Sequence, residues 1–244
     1  RTVCTVEARM GSTRLPGKVL EELIDGKSTL EVMAERLRRA NAPDAVVIAT
    51  SDGEEDDAVA AEAERLGVDC FRGDEHDVLG RVLGAARAHD ADVVCETTGD
   101  CPLLDPAIVD QVVGCYLDNP HADYVSNTLV RRWPVGFDVE VFATETLAHV
   151  AAATSDPGHR EHVTTYIHDD PSDEFTTFNV SPPPALDDPT LRVTLDYPED
   201  LELLRRVLEE LYHDDPSFDA CDVVSLFERK PELRDINGRH VEAV

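Results

Sequence analysis

Arg9, Arg14 and Lys18 share one acid-free stretch, "ARMGSTRLPGKVL" from Ala8 to Leu20, in a chain of 244 residues with 51 acids, 22 basic residues and a formal charge of −29. Three cations gathered in so acidic a molecule, where only three lysines occur at all, point to a local anion site. Gly11 lets backbone N–H groups approach an oxyanion, and the basic side chains neutralise its charge. The stretch is not the phosphate loop of NTPases. That loop needs GxxxxGK[ST] running into a helix, whereas here Gly11 and Gly17 have five residues between them, Val19 replaces the hydroxyl, and Pro16 interrupts the helix. A GxGxxG fingerprint is absent as well.

Two aspartates each end an apolar run: Asp100 in "TTGDCPLLD" and Asp196 in "VTLDYPEDL". A carboxylate there suits Mg²⁺, which takes one or two protein carboxylates and completes its shell with phosphate oxygens and water. By spacing alone, Asp196 equally suits a helix N-cap. Asp105, followed by Pro106, reads as a cap. Cys101 has apolar neighbours and no base at a recognisable spacing, so it reads as packing. His159 and His162, three apart, offer a zinc pair or two ordinary helix residues, without HExxH or a cysteine pair nearby. The six cysteines show no CxxC and read as reduced.

The elements that carry these residues alternate. Apolar runs at 3–8, 45–50, 68–71 and 92–98 read as parallel strands buried on both faces. Helical patterns lie between them, over Ser28–Ala40 with a Ser28…Glu31 capping box, over Glu54–Leu66 before Gly67, and over Asp77–His89; another starts at Asp105. This is an α/β, doubly wound, mostly parallel sheet, in which ligands sit beyond the carboxyl ends of the strands. Residues 1–120 form its nucleotide-binding half. The looser 121–180 reads as an inserted acceptor or dimerisation region, with helical stretches from Thr144 and near Gly158–His168. The segment 190–212 returns a strand, 191–195, and a long helix, while 213–244 has no assigned role.

The acidic surface argues against nucleic acid, which needs clustered Lys and Arg. A pI near 4.4 with so few lysines suggests a halophilic, high-salt interior. No run is long enough to cross a bilayer and no leader opens the chain, so a cytoplasmic protein is expected.

The segments "ARMGSTRLPGKVL", "RGDEHDVLGR", "TGDCPLLDP", "YVSN", "WPVGFDVEVF", "REHVTTYI" and "LDYPEDL" resemble, in order, the spore-coat polysaccharide type of cytidylyltransferase, related to the acylneuraminate and Kdo cytidylyltransferases. The resemblance spans residues 3 to about 212. It implies a nucleotidyltransferase fold of the nucleotide-sugar transferase type, usually homodimeric, that joins CMP from CTP to an acceptor with Mg²⁺ and releases pyrophosphate. It further implies nucleotide binding by Ala8, Arg9, Met10, Gly11, Arg14 and Lys18, with Arg72 near the cytosine. Asp100 and Asp196 would hold the metal, and Lys18, Arg14 and Asp100 would serve the chemistry. Asp138, Glu140, Arg160, Glu161 and His162 would face the acceptor or a dimer partner; as plain residues they equally suit a solvated helix and an alternating strand. Relatives act on acidic sugars, and Arg131, Arg132 and Arg160 are the cations available to an anionic acceptor. The rival functions are a glycosyltransferase using a finished nucleotide sugar and a noncatalytic assembly subunit. The cytidylyl reading requires Lys18, Asp100 and Asp196, far apart in the chain, to converge on one crevice.

Overall fold

A computed structural model describes residues 1–169 and 173–241. Its centre is strand β1 (Thr2–Glu7), flanked on one side by β4 (Ala45–Ser51) and on the other by β6 (Val93–Thr98), all parallel. The strands β2 (Glu22–Ile24) and β3 (Lys27–Ser28) form a separate hairpin. Beyond β4 lies β5 (Asp69–Gly73); beyond β6 come β8 (Glu140–Ala143), β7 (Tyr124–Ser126) and β9 (Thr177–Asn179), giving the order β5-β4-β1-β6-β8-β7-β9. The chain moves outward from β1 to β5 and then returns to the opposite side of β1. That reversal opens a crevice beyond the carboxyl ends of β1 and β6, where Glu7 pairs with Thr98.

Alternation along the strands sorts the core. Cys4, Ile48 and Cys95 face one layer, and Val3, Val47 and Val94 the other. The first layer holds α1 (Thr29–Leu37), α2 (Asp57–Leu66), α4 (Pro106–Asp118), α8 (Pro198–Leu211) and α9 (Ala220–Arg229). The second holds α3 (Val78–Ala88), α5 (Thr144–Ala153) and α7 (Thr165–Asp169), with α6 (Pro157–Glu161) beside α3. Helix α8 buries Leu204, Val207, Leu208 and Leu211 at helical spacing, each contributing about 1.5–3 kcal/mol by burial.

The caps follow the sequence. Ser28 Oγ accepts from Glu31 N at 3.0 Å, and Asp77 Oδ1 from Gly80 N at 2.8 Å. Asp105 accepts from Ala107 N with one oxygen and, with the other, from Ala220 N at 2.7 Å. That second bond ties down the tail expected to have no role: α9 and α10 (Arg234–Asn237) close the first layer.

The expected strand over 191–195 does not join the sheet. It makes one isolated bridge, Val135 with Arg192, and hangs from the Asp100 carbonyl through Leu195 N at 2.8 Å. Leu191, Val193 and Leu195 are buried, so the alternation reports burial of an extended segment rather than a ladder. Gly136 makes this crossing possible. Its φ is +110°, and a Cβ there would stand 2.8 Å from Thr194 N and from the Val193 carbonyl carbon. Gly136→Ala is therefore expected to cost about 2 kcal/mol, read as a lowered urea midpoint; an unchanged midpoint would show that the crossing relaxes freely.

Candidate functional site

The crevice is a cavity of about 370 Å³ bounded by the Ala8–Arg14 loop, Lys18, Arg81 and Asp100. The loop is closed by Gly17, whose φ of 75° demands glycine and whose N–H donates to the Met10 carbonyl at 3.0 Å. Met10 N in turn donates to the carboxylate of buried Asp56 at 2.6 Å. The loop thus stands on a fixed base.

Lys18 Nζ donates to Asp100 Oδ2 at 2.7 Å and to Asp196 Oδ1 at 2.9 Å. One ammonium therefore gathers two acids that lie 82 and 178 residues away from it. Burial alone lowers the Lys18 pKa, but the two carboxylates outweigh it and hold the ammonium above its usual value. For Asp196, burial raises the pKa, and Lys18 and Arg192 reverse that and leave it depressed. Asp100 Oδ1 also accepts from Thr98 Oγ1 at 2.6 Å, and Arg14 reaches Asp196 at 3.3 Å.

Asp196 does not cap α8. Asp200 does, accepting from Asp196 N at 2.9 Å and Tyr197 N at 3.0 Å while forking onto Arg192. The Asp196 side chain is left facing the cavity, held from behind by Arg192 NH2 at 2.8 Å. Sequence spacing offered both roles to Asp196; the acid four residues later takes the structural one.

A second cavity of about 320 Å³ adjoins the first, sharing Glu7, Thr98, Glu161 and His162 with it. Its further walls include Glu96, Glu140, Asp138 and Arg131. Arg131 forks onto Asp138, with its closer nitrogen at 2.5 Å.

With this geometry in place, comparison with known proteins is decisive: the model of the Cytidylyltransferase family matches residues 3–217. The chain belongs to the cytidylyltransferase family. It is 32% identical over 232 residues to the spore coat polysaccharide biosynthesis protein SpsF of Bacillus subtilis, covering 93% of this chain and 94% of that one. The structure of a cytidylyltransferase from Leptospira borgpetersenii superposes with a TM-score of 0.88 at 31% identity, covering 95% of each chain. CMP:2-keto-3-deoxy-manno-octonic acid synthetase complexed with CTP gives 0.64 at 18% identity over 86% of this chain and 99% of its own, a likeness of fold. The family is thus one of nucleotidyltransferases, on an α/β sheet of the expected class.

Most residues singled out in this cytidylyltransferase come together. Ala8, Arg9, Gly11, Arg14, Lys18, Asp100 and Asp196 line the first cavity; Asp138 and Glu140 line the second; Glu161 and His162 line both. Met10 lies beneath the loop, against the core. Three arginines depart from expectation. Arg72 turns back onto the carbonyls of Ser51 and Gly53 and pairs with Asp57, because β5 is the sheet's edge, two strands from the crevice. Arg160 pairs with Asp77 and the Ala151 carbonyl outside both cavities, and Arg132 pairs with Asp187. The two histidines part as well: His159 meets Thr154 and Asp169, while His162 faces the cavities.

Sequence reasoning passed over Arg81, which is only 2% exposed, lines the first cavity and donates to the carbonyls of Asp74 and Glu75. Among the described residues its Nε has no hydrogen-bond partner. The available signal was a cation on the apolar face of α3, three residues from Val78. Glu7 and Glu96 were passed over too, although a glutamate within an apolar strand is the same kind of signal. The thiol of Cys101 is pushed well above its usual pKa by burial, so packing is its role.

Burial raises Glu140 to about 7; hydrogen bonds from Thr164 and Tyr124 oppose the shift, and Asp138 and Glu7 add to it. The ordinary glutamate value is 4.5, so the stabilising protonated state is complete below that pH and is lost as pH rises through about 7. Glu140→Gln is expected to reduce the fall in urea midpoint between those pH values. An unchanged slope would place the titration elsewhere.

Proposed function

We propose that this protein is a Mg²⁺-dependent cytidylyltransferase that transfers CMP from CTP to a small acceptor and releases pyrophosphate. The observation that carries the reading is the convergence of Lys18 on Asp100 and Asp196 beneath an arginine-bearing loop. A magnesium ion fits this donor set. Both carboxylates line one cavity beside the Lys18 ammonium, their oxygens are hard ligands, and two protein carboxylates leave the rest of the shell to phosphate and water. Among the described residues no third His, Cys, Asp or Glu completes a closed metal cluster, as suits an ion shared with substrate. When bound, the ion would polarise the α-phosphate and offset charge on the transferring group.

In this reading the loop N–H groups, Arg9 and Arg14 grip the triphosphate, and Lys18 neutralises charge on the departing pyrophosphate. Arg192 and Thr98 fix the orientation of the two acids, so little reorganisation accompanies transfer. Arg81, rather than Arg72, is the buried cation beside the nucleotide. The acceptor hydroxyl enters from the second cavity, and the acid group of a sugar acid would find Arg131 there. Exposed Val130 and Phe178, on segments linked by the bond from Val130 N to Asn179 Oδ1, support a homodimer. No helix of the described residues is long and apolar enough to cross a membrane, and a cytoplasmic, salt-adapted enzyme is part of the proposal.

The test is a pyrophosphate-release screen of the four NTPs with Mg²⁺ against sugar acids and phosphorylated acids. CTP is expected to stand alone. Release with equal efficiency from all four nucleotides would sink the reading, and a nucleotide-sugar glycosyltransferase would release no pyrophosphate at all.

A further inference from the structure

The floor of the second cavity is made of carboxyl groups. β1, β6 and β8 lie side by side, so Glu96 sits directly across the ladder from Glu140, and Glu7 is placed two residues beyond Thr5, the partner of Glu96. Period-two alternation puts all three on one face of the sheet. Asp138 and Glu161 add two more acids to the same cavity. Against them stands Arg131, already forked onto Asp138. Of the two histidines, burial lowers the pKa of His168, which meets Tyr124 OH at 2.9 Å, and His162 lies at the shared border.

Glu96 is the innermost of the group. It is 6% exposed and lines the cavity, and among the described residues its Oε2 has no hydrogen-bond partner. A buried carboxylate without a donor is costly, and two remedies exist: a proton or a bound cation. Here the proton serves. Burial, with Glu7 alongside and Glu140 nearby, keeps Glu96 protonated well above the usual carboxylate range. Among the described residues, the three carboxyls do not gather as a metal cluster would. A row of acids along one sheet face suits a cation that brings its own several N–H donors, which an ammonium does.

We propose that the acceptor carries a protonated primary amine and that Glu7, Glu96 and Glu140 form its subsite. The proposal rests on the reading of the adjoining cavity as the CTP site, because the two cavities share a wall. The acceptor would then be an amino sugar or an amino sugar acid. A second carboxylate would be repelled from this floor.

Calorimetric titration of the full chain tests it. The protein is titrated with Mg–CTP and then, at saturating Mg–CTP and near neutral pH, with glucosamine, N-acetylglucosamine, glucose and gluconate as probes. Glucosamine is expected to bind at least about tenfold more tightly than each of the others. Because the ammonium displaces protons from the cluster, its binding heat should vary with the ionisation enthalpy of the buffer. The double variant E96Q/E140Q should lose both the preference and the proton release while retaining CTP binding. Equal binding of the probes, binding of none, or tighter binding of gluconate overturns the proposal. Failure of CTP to bind alongside an intact amine preference would instead sink the cytidylyl reading and leave the amine subsite standing.

Discussion

Asp100→Ala is expected to lower CTP-dependent pyrophosphate release by at least about a hundredfold, the equivalent of about 3 kcal/mol of transition-state stabilisation. The side chain makes two contacts that matter to the site, one with Lys18 Nζ at 2.7 Å and one with Thr98 Oγ1 at 2.6 Å. Its backbone is held independently, since the Asp100 carbonyl accepts from Leu195 N at 2.8 Å and from Thr194 Oγ1 at 3.0 Å. The substitution therefore removes a carboxylate without loosening the crossing beneath it, and the thermal midpoint should stay close to that of the wild type. Lys18 would retain Asp196 alone and lean toward it. Because one of two proposed metal ligands is lost, raising Mg²⁺ should recover only part of the rate. Full activity in a folded Asp100→Ala protein would remove this residue from the chemistry and the crevice from the role proposed for it.

How much of this was legible beforehand depends on where each residue sits in the sheet. The strands 3–8, 45–50 and 92–98 were readable because parallel strands buried on both faces leave continuous apolar runs, and Ser28, Asp77 and Asp105 marked helix starts through the chemistry of unsatisfied N–H groups. The meeting of Lys18 with Asp100 followed from one rule, that loops at strand ends meet where strand order reverses, whereas Asp196 reaches them on an extended segment outside the sheet. Arg72 failed the same rule because the sequence does not say which strand is the edge. Its run looked like the others, yet among the described residues β5 pairs only with β4. Likewise, Leu191, Val193 and Leu195 alternate like a strand, but a single bridge satisfies their segment. The acidic floor at Glu7, Glu96 and Glu140 needed the register of three strands, information that no single segment contains.

Asp200→Ala is expected to cost about 3–5 kcal/mol of stability, the range for removing one partner of a buried charge pair. Asp200 is fully buried and lies outside every motif quoted for chemistry except as the penultimate residue of "LDYPEDL". Its Oδ1 accepts from Arg192 Nε at 3.1 Å and from Asn237 Nδ2 at 2.8 Å; its Oδ2 accepts from Arg192 NH2 at 2.9 Å and from the backbone N–H groups of Asp196 and Tyr197. Deleting the carboxylate strands these donors together. The α8 cap is lost, Asn237 keeps its bond to the Arg192 carbonyl but loses its carboxylate acceptor, and Arg192 retains Asp196 as its carboxylate partner among the described residues. For a chain of this length the loss should lower the thermal midpoint by roughly 10 °C. Asp200→Asn, which keeps the shape and some of the acceptors, should lose less. The surviving folded protein should also turn over slowly, because Arg192 would draw Asp196 away from Lys18 and from the proposed metal. Differential scanning calorimetry and pyrophosphate release on the same samples separate the two effects. A midpoint within a degree or two of wild type would mean that Asp200 is dispensable as the strut behind Asp196, and the alignment of that acid would need another cause.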